Sequence, residues 1–107
     1  MLALVVYESF WGNTAAIARA IADGIGGARL LSTDEATSDL VAAADLIVAG
    51  APVLGFRLPT EEMRKSLPRT EWRAPTPPDT SHQSMRAWIE ALPQGRGVGA
   101  AFETRVS

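Results

Sequence analysis

Short, continuously apolar runs alternate along the chain with stretches of helical periodicity. Leu2–Tyr7 and Asp45–Gly50 have the length and apolar character of strands that are buried on both faces of a sheet. Between them, Ile17, Ile21 and Ile25 recur at every fourth position and predict an amphipathic helix with an aliphatic stripe. Two buried strands joined by a helical crossover predict a βαβ arrangement in a parallel sheet.

Shorter apolar or periodic stretches complete the predicted elements. They are two strands, Ala28–Leu31 and Val98–Phe102, and three short helices, Ser38–Ala43, Glu61–Ser66 and residues 83–92. The pattern therefore predicts four strands that alternate with helices in a single α/β domain over residues 1–107.

Proline, glycine and asparagine mark the ends of these elements. Asn13 is expected to cap the first helix and Gly26 to end it. Pro52 and Pro59 bracket a predicted loop, and four prolines within residues 68–82 indicate an irregular surface segment. We interpret that segment as an excursion within the domain and not as a linker between two domains.

The turn between the first strand and the first helix holds the candidate binding chemistry. It consists of Ser9, Phe10, Trp11, Gly12, Asn13 and Thr14. The first N–H groups of a helix lack intrahelical acceptors and carry partial positive charge, so the turn predicts an anion site. Since it contains no lysine or arginine, its donors would be neutral, unlike those of a Gly-Lys-Ser/Thr phosphate loop. The alternative is that Ser9 and Thr14 only end the strand and cap the helix.

Composition and charge narrow the classes of function. The chain has no cysteine and a single histidine, so neither a thiolate metal site nor a cysteine nucleophile is expected. A net charge of −2 gives no basis for nucleic-acid binding. The apolar N-terminal run is too short to span a membrane and lacks the charged start of a signal peptide. We expect a cytoplasmic protein.

Three segments of the chain resemble the flavodoxin-like family. Residues 6–14 are similar to its phosphate-binding turn, residues 45–56 to its third strand and first ring-flanking loop, and residues 100–105 to its fourth strand and second ring-flanking loop. The resemblance implies a doubly wound parallel sheet of strand order 2-1-3-4. It also implies FMN at the switch point between the first and third strands, an arrangement for which flavodoxin is a standard example.

The resemblance also implies which residues would bind FMN. The N–H groups of residues 10–14 and the hydroxyls of Ser9 and Thr14 would enclose the phosphate. The ring would lie between two loops, formed by Ala51, Pro52, Val53, Leu54, Gly55 and Phe56 and by Glu103, Thr104 and Arg105.

Several of these residues have more specific expected roles. Trp11 or Phe56 would cover part of the flavin, with packing on the core as the alternative for each. The peptide between Leu54 and Gly55 would accept a hydrogen bond from flavin N5, since glycine tolerates the required backbone rotation. Arg105 departs from the acidic or apolar character that this region has in typical flavodoxins.

The resemblance further implies that elements are absent from this chain. A flavodoxin-like domain continues after its fourth strand with a fifth strand and last helices, about 40–60 residues more within the usual domain size. We therefore expect either the N-terminal part of a longer protein or a homo-oligomer, for instance a swapped dimer, that compensates for the absent elements.

The function implied by the resemblance is electron transfer by an FMN-binding module that acts with a redox partner protein, without nucleic acid or membrane. One alternative is a flavin-dependent reductase that oxidises NAD(P)H and acts on a quinone-type acceptor. Another is a flavodoxin-like scaffold without flavin that acts in binding or regulation. Flavin content separates the last from the others, and NAD(P)H oxidation without a separate reductase identifies the second.

Overall fold

A computed structural model describes residues 1–53, 58–66, 80–95 and 97–105. The elements in chain order are β1 (Ala3–Tyr7), α1 (Asn13–Ile25), β2 (Arg29–Ser32), α2 (Ser38–Ala43), β3 (Leu46–Val53), α3 (Glu61–Ser66), α4 (Met85–Glu90) and β4 (Val98–Arg105). The strands form one parallel sheet of order β2-β1-β3-β4. The predicted fold class and strand order are therefore confirmed.

The carboxyl end of β1 is the point where the strand order reverses. Tyr7 is in register with Ser32 of β2 on one side and with Gly50 of β3 on the other. Beyond it, the Glu8 N–H donates to the Gly50 carbonyl at 3.0 Å, and the Thr33 N–H donates to the Tyr7 carbonyl at 3.2 Å. The chain after Tyr7 therefore leaves the sheet between two neighbouring strands, at the switch point of the fold.

Successive side chains of β1 point to opposite faces of the sheet and are buried on both. Val5 packs with Ala18 and Ala22 of α1, on what we call the α1 face. Leu4 and Val6 belong to the other cluster, the α4 face, which also contains Met85, Trp88, Leu31, Ala36, Val41, Ala44 and Ala51. Burial on both faces explains why the β1 sequence is continuously apolar instead of alternating.

The predicted isoleucine stripe does not form the buried side of α1. Ile17 is 47% exposed, whereas Ala18 is fully buried and Ala22 is nearly so. A repeat of four residues drifts by about 40° per step around a helix of 3.6 residues per turn, so the three isoleucines cannot face the sheet together. Alanine, with its small side chain, forms the contact with the sheet, and Ile21 and Ile25 border it.

The start of α1 also differs from the prediction. The cap is Gly12, which has a left-handed φ of 92°, and Asn13 is the first helical residue; none of the described side chains caps the helix. Glycine adopts this conformation without the steric cost that asparagine would have there. The predicted end is confirmed, since the Gly26 N–H donates to the Ala22 carbonyl at 3.1 Å.

The third and fourth strands extend further than predicted. β3 continues to Val53 and β4 to Arg105, so that Pro52 is in register with Thr104 inside the sheet. The Gly50 carbonyl points towards β1 and accepts from Glu8. The backbone nitrogen of Pro52, two positions later, points to the same side, where β1 has already ended. Its missing N–H therefore costs no ladder hydrogen bond, and the strand passes through a proline.

The shorter predicted elements are confirmed with small shifts. Ser38–Ala43 and Glu61–Ser66 are helical over the predicted residues, whereas the last helix is shorter than expected, Met85–Glu90. Only residues 80–82 of the predicted proline-rich excursion are among the described residues. No helix in the described part of the chain is long and apolar enough to cross a membrane.

Candidate functional site

The turn at the carboxyl end of β1 leads into the first turn of α1, where three backbone N–H groups have no acceptor among the described residues. The Ser9 hydroxyl accepts the Gly12 N–H at 3.0 Å, which closes the turn on itself. The Ala16 N–H is the first of α1 to find a helical acceptor, the Gly12 carbonyl at 2.9 Å. Among the described residues, nothing accepts from the N–H groups of Asn13, Thr14 and Ala15. With no acidic residue in this first turn, the helix end is ready to receive an anion.

The two aromatic residues of the turn have different roles. Phe10 is buried beneath the turn, with its ring 5.9 Å from that of Trp11 in an edge-to-face arrangement. Phe10 therefore packs in the core, which is the role considered as an alternative for Trp11. Because its ring is buried, Phe10 can offer a ligand its backbone N–H but not its side chain. Trp11 is half-buried and borders an open cavity.

That cavity lies beside the turn, towards the end of β2. It has a volume of about 440 Å³, and its lining includes Trp11 and Gly12 on one side and Asp34 and His82 on the other. Its size falls in the range of small-molecule sites, about 300–1,000 Å³. The anion-ready turn is therefore also accessible from the β2 side of the switch point.

The ends of β3 and β4 meet the turn on the other side of β1. Thr14 is 2% exposed, and its Oγ1 lies 2.8 Å from the Oγ1 of Thr104, 90 positions later in the chain. This hydroxyl–hydroxyl hydrogen bond joins the first turn of α1 directly to the end of β4. It brings together two segments to which the family resemblance assigns different parts of FMN, the phosphate for the turn and the ring for residues 103–105.

A close contact fixes β4 against β3 just before this point. The Phe102 ring lies over Gly50, where it occupies the space that a side chain at position 50 would need. Only glycine allows this approach, and Phe102 packs on the α1 face next to the helix. Gly50, which the sequence placed at the end of a predicted strand, thus leaves room for the Phe102 ring beside the switch point.

A buried ion pair lies on the α4 face directly below the turn. Glu8, which is fully buried, places its Oε2 3.1 Å from Nε of Arg64, a residue of α3 that is itself buried. Glu8 Oε1 accepts the Met85 N–H at 3.2 Å. Arg64 donates to the carbonyls of Thr80, at 3.4 Å, and His82. The pair thus ties α3 and the segment before α4 to the residue that precedes Ser9.

The environment of Glu8 changes its acidity. Burial raises the pKa of Glu8 above its ordinary value of 4.5, and the repulsion of Glu61 adds to the rise. The Met85 N–H and the Arg64 guanidinium favour the carboxylate and oppose that rise. The carboxyl group therefore holds its proton to a higher pH than an exposed glutamate does.

The sequence pattern alone does not reveal this ion pair, although it contains one signal of it. Glu8 follows Leu4 and Val6 at the alternating positions that point to one face of the sheet. A charged residue at the next such position requires a buried partner. The identity of that partner could not be predicted, because Arg64 lies far along the chain.

The structure brings most of the predicted site residues to one edge of the sheet. Ser9–Thr14 form the turn, and the pairs Ala51–Glu103, Pro52–Thr104 and Val53–Arg105 are in register beside it. Ala51 is buried and Glu103 is exposed. The predicted ring-binding residues Leu54, Gly55 and Phe56 lie outside the described residues.

The parallel sheet of order β2-β1-β3-β4 and its helices match an α/β flavodoxin-like fold. A solved structure described as that of "a flavodoxin from the domain Archaea" is similar to this chain, with a TM-score of 0.51 and 30% sequence identity. The similarity covers 64% of this chain and 55% of the archaeal flavodoxin, so it extends over little more than half of that protein. No protein-family model matches the chain, and no curated protein matches it either.

Proposed function

We propose that this chain binds FMN and acts as an electron-transfer module. The observation that carries the proposal is the first turn of α1, whose N–H groups have no acceptor among the described residues, at the switch point of a flavodoxin-like sheet. The similarity to an archaeal flavodoxin supports the same cofactor. When bound, FMN would supply the redox chemistry, and the protein would supply binding, orientation and electrostatics.

The described residues fit the phosphate end of FMN. The N–H groups of Asn13, Thr14 and Ala15 lack described acceptors, and the Ser9 hydroxyl retains its own hydrogen while it accepts from Gly12. The partial positive charge of a helix N-terminus favours a dianion there. No basic side chain is needed, so these neutral groups are the proposed phosphate ligands.

The ring end of the proposed site lies at the carboxyl ends of β3 and β4. Ala51–Val53 and Glu103–Arg105 would border the ring, together with residues 54–56 that connect onward from β3. The ring-flanking segments begin as paired strands, which gives this edge a fixed backbone. A redox partner protein would then approach the exposed edge of the ring.

The substitution N13D provides a selective test of the proposed phosphate site. Asn13 is exposed and is the first residue of α1, so N13D adds a negative charge where the phosphate is proposed to bind. The same charge favours the helix dipole and should leave stability unchanged or slightly raised. We expect FMN affinity, measured by quenching of flavin fluorescence, to fall at least about threefold.

Two controls make this test specific. A20D adds the same charge to an exposed position further along α1 and should leave FMN affinity near that of the wild type. Riboflavin, which lacks the phosphate, should bind N13D and wild type equally. If wild-type protein fails to bind FMN, or if N13D and A20D lose affinity equally, the proposed phosphate site is wrong.

A second candidate function is a reductase that oxidises NAD(P)H. The open cavity of about 440 Å³ beside Trp11 favours it, because such an enzyme must admit a second substrate near the cofactor site. Oxidation of NAD(P)H by the FMN-loaded protein, without an added reductase, would support this function. An electron carrier would show no such turnover.

A further inference from the structure

The hydroxyl–hydroxyl contact between Thr14 and Thr104 joins the two ends of the proposed FMN site. Thr14 lies in the first turn of α1, whose N–H groups have no acceptor in the described part of the chain and are the proposed phosphate donors. Thr104 is the penultimate residue of β4, in the segment proposed to border the ring. Their oxygen atoms lie 2.8 Å apart. Any displacement of the helix end therefore acts directly on the end of β4.

We propose that this hydrogen bond makes Thr104 a positioning residue that couples anion binding at α1 to flavin-ring binding beside β4. The inference rests on the proposed function, and it concerns how the two halves of that site communicate. Coupling between two binding events is reciprocal, so an anion at the turn strengthens ring binding and the ring strengthens anion binding by the same factor.

The burial of Thr14 gives the coupling its mechanical basis. At 2% exposure its side chain is enclosed by the protein and moves with the helix turn. An anion that accepts the N–H groups of residues 13–15 holds that turn in place, and the Thr14 hydroxyl is held with it. The hydrogen bond then holds Thr104 at the edge that the ring would contact.

Pairing with β3 holds the backbone at the end of β4, and the contact with Thr14 links this strand end to α1. Thr104 is in register with Pro52 of β3, at a position beyond the last residue of β1. Phe102 is anchored over Gly50, but it lies two positions before Thr104. Ordering the strand end in advance lowers the conformational entropy that ring binding must remove, and this makes the coupling positive.

Inorganic phosphate and riboflavin separate the two halves of the site experimentally. Riboflavin affinity of the 107-residue chain is measured by fluorescence quenching in phosphate and in chloride at equal ionic strength. For wild type, phosphate should raise the affinity about twofold to tenfold, the fold-change that one net hydrogen bond is worth. T104V, which keeps the side-chain shape but loses the hydroxyl, should show no enhancement.

Two further variants make the comparison specific. T104S retains the hydroxyl and should keep the enhancement, which excludes a general effect of substitution at this position. N13D should lose it, because the added charge repels the phosphate from the turn. Equal enhancement in wild type and T104V, or none in wild type that binds both probes, would overturn the proposal.

A measurement without flavin tests the link separately from the proposed function. Phosphate should slow amide hydrogen exchange of residues 103–105 in wild type and T104S, but not in T104V. That result supports the link even if FMN itself does not bind, in which case only the proposed function fails. Equal slowing in wild type and T104V contradicts the link and leaves FMN binding untouched.

Discussion

The two faces of the sheet hold their helices by different means. On the α1 face the contact is made by small residues, with Ala18 and Ala22 against the strands and Gly50 beneath the Phe102 ring. On the α4 face a fully buried carboxylate, Glu8, pairs with Arg64 beside large apolar side chains. A face that fits by size is sensitive to added volume, whereas a face with paired charges is sensitive to a lost partner.

This difference bears on the proposed site, because the same turn lies between the two faces. The α1 face brings the helix end close to the sheet, where its N–H groups reach the switch point. The α4 face holds the start of the turn from below through Glu8, which precedes Ser9 and contacts α3 and α4. Substitutions on either face therefore test how much each contributes.

The largest effect is expected from removal of the arginine on the α4 face. R64M leaves Glu8 buried without its charge partner and should lower the free energy of unfolding by about 3–5 kcal/mol. Urea unfolding at neutral pH measures this loss. Because the carboxyl group can neutralise itself by taking up a proton, the loss should shrink as the pH is lowered.

The double variant E8Q/R64M is the control for that prediction. It removes both charges and should recover a large part of the stability that R64M loses, because no unpaired ion remains buried. If R64M and the double variant are equally destabilised, the packing of the arginine stem matters more than its charge.

Added volume on the α1 face should have the next largest effect. G50A places a methyl group where the Phe102 ring lies and should cost about 1–3 kcal/mol. G99A, in β4, adds the same group where nothing lies within 4 Å and should leave stability within about 0.5 kcal/mol. Thermal and urea unfolding of the two variants provide the matched comparison.

Truncating the same ring tests the cause of the G50A effect. F102L leaves room for the methyl group, so G50A should cost less in an F102L background than in wild type. Equal cost in both backgrounds would mean that the ring does not limit side-chain size at position 50.

A smaller loss is expected from a single hydrogen bond on the α4 face. The Trp88 Nε1–H donates to the Ala36 carbonyl at 3.0 Å in a buried environment. W88F keeps an aromatic ring but leaves that carbonyl without its donor, at a cost of about 1–2 kcal/mol. I89F changes an exposed residue of the same helix and should alter the free energy of unfolding by no more than about 0.5 kcal/mol.

The smallest effect is a pH dependence of the free energy of unfolding that arises from Glu8 on the α4 face. Burial raises the pKa of Glu8 in the folded protein above its ordinary 4.5. The folded state therefore keeps this proton to a higher pH than the unfolded state does. The protonated carboxyl group contributes stability that is fully present below pH 4.5 and is lost as the pH rises through the raised pKa.

Comparison with E8Q isolates this contribution. The free energy of unfolding of wild type should decline relative to that of E8Q as the pH rises from 4.5. Parallel curves for the two proteins would show that Glu8 has the same pKa in the folded and unfolded states.

The sequence predicted the elements of the fold better than their packing. The strands and most helices followed from apolar runs and periodicity, and the strand order from the resemblance of three segments to one family. The buried side of α1 could not be predicted in this way, because isoleucine is more hydrophobic than alanine and the pattern therefore favours burial of Ile17 over Ala18. Close approach to the sheet selects the smaller side chain, and that requirement is visible only in three dimensions.

Only the local part of the candidate site could be predicted from the sequence, because contacts between distant residues are visible only in three dimensions. The turn is local in sequence, so its hydroxyls, glycine and helix end could be recognised together. The contacts of Thr14 with Thr104 and of Glu8 with Arg64 join residues that are distant in the chain. Nothing in the local pattern at either end specifies the other, and Pro52 misleadingly suggested a loop where the strand continues.

The buried ion pair also has a consequence for the order of events in folding. Glu8 bonds to Met85, 77 positions later, so the α4 face cannot close until that segment has reached the sheet. Long-range contacts form slowly, and a carboxylate resists burial before its partners arrive. We expect β1, α1 and β2 to assemble first and the ion pair to form late. An ion pair that forms after the transition state of folding stabilises the native state mainly by lowering the unfolding rate.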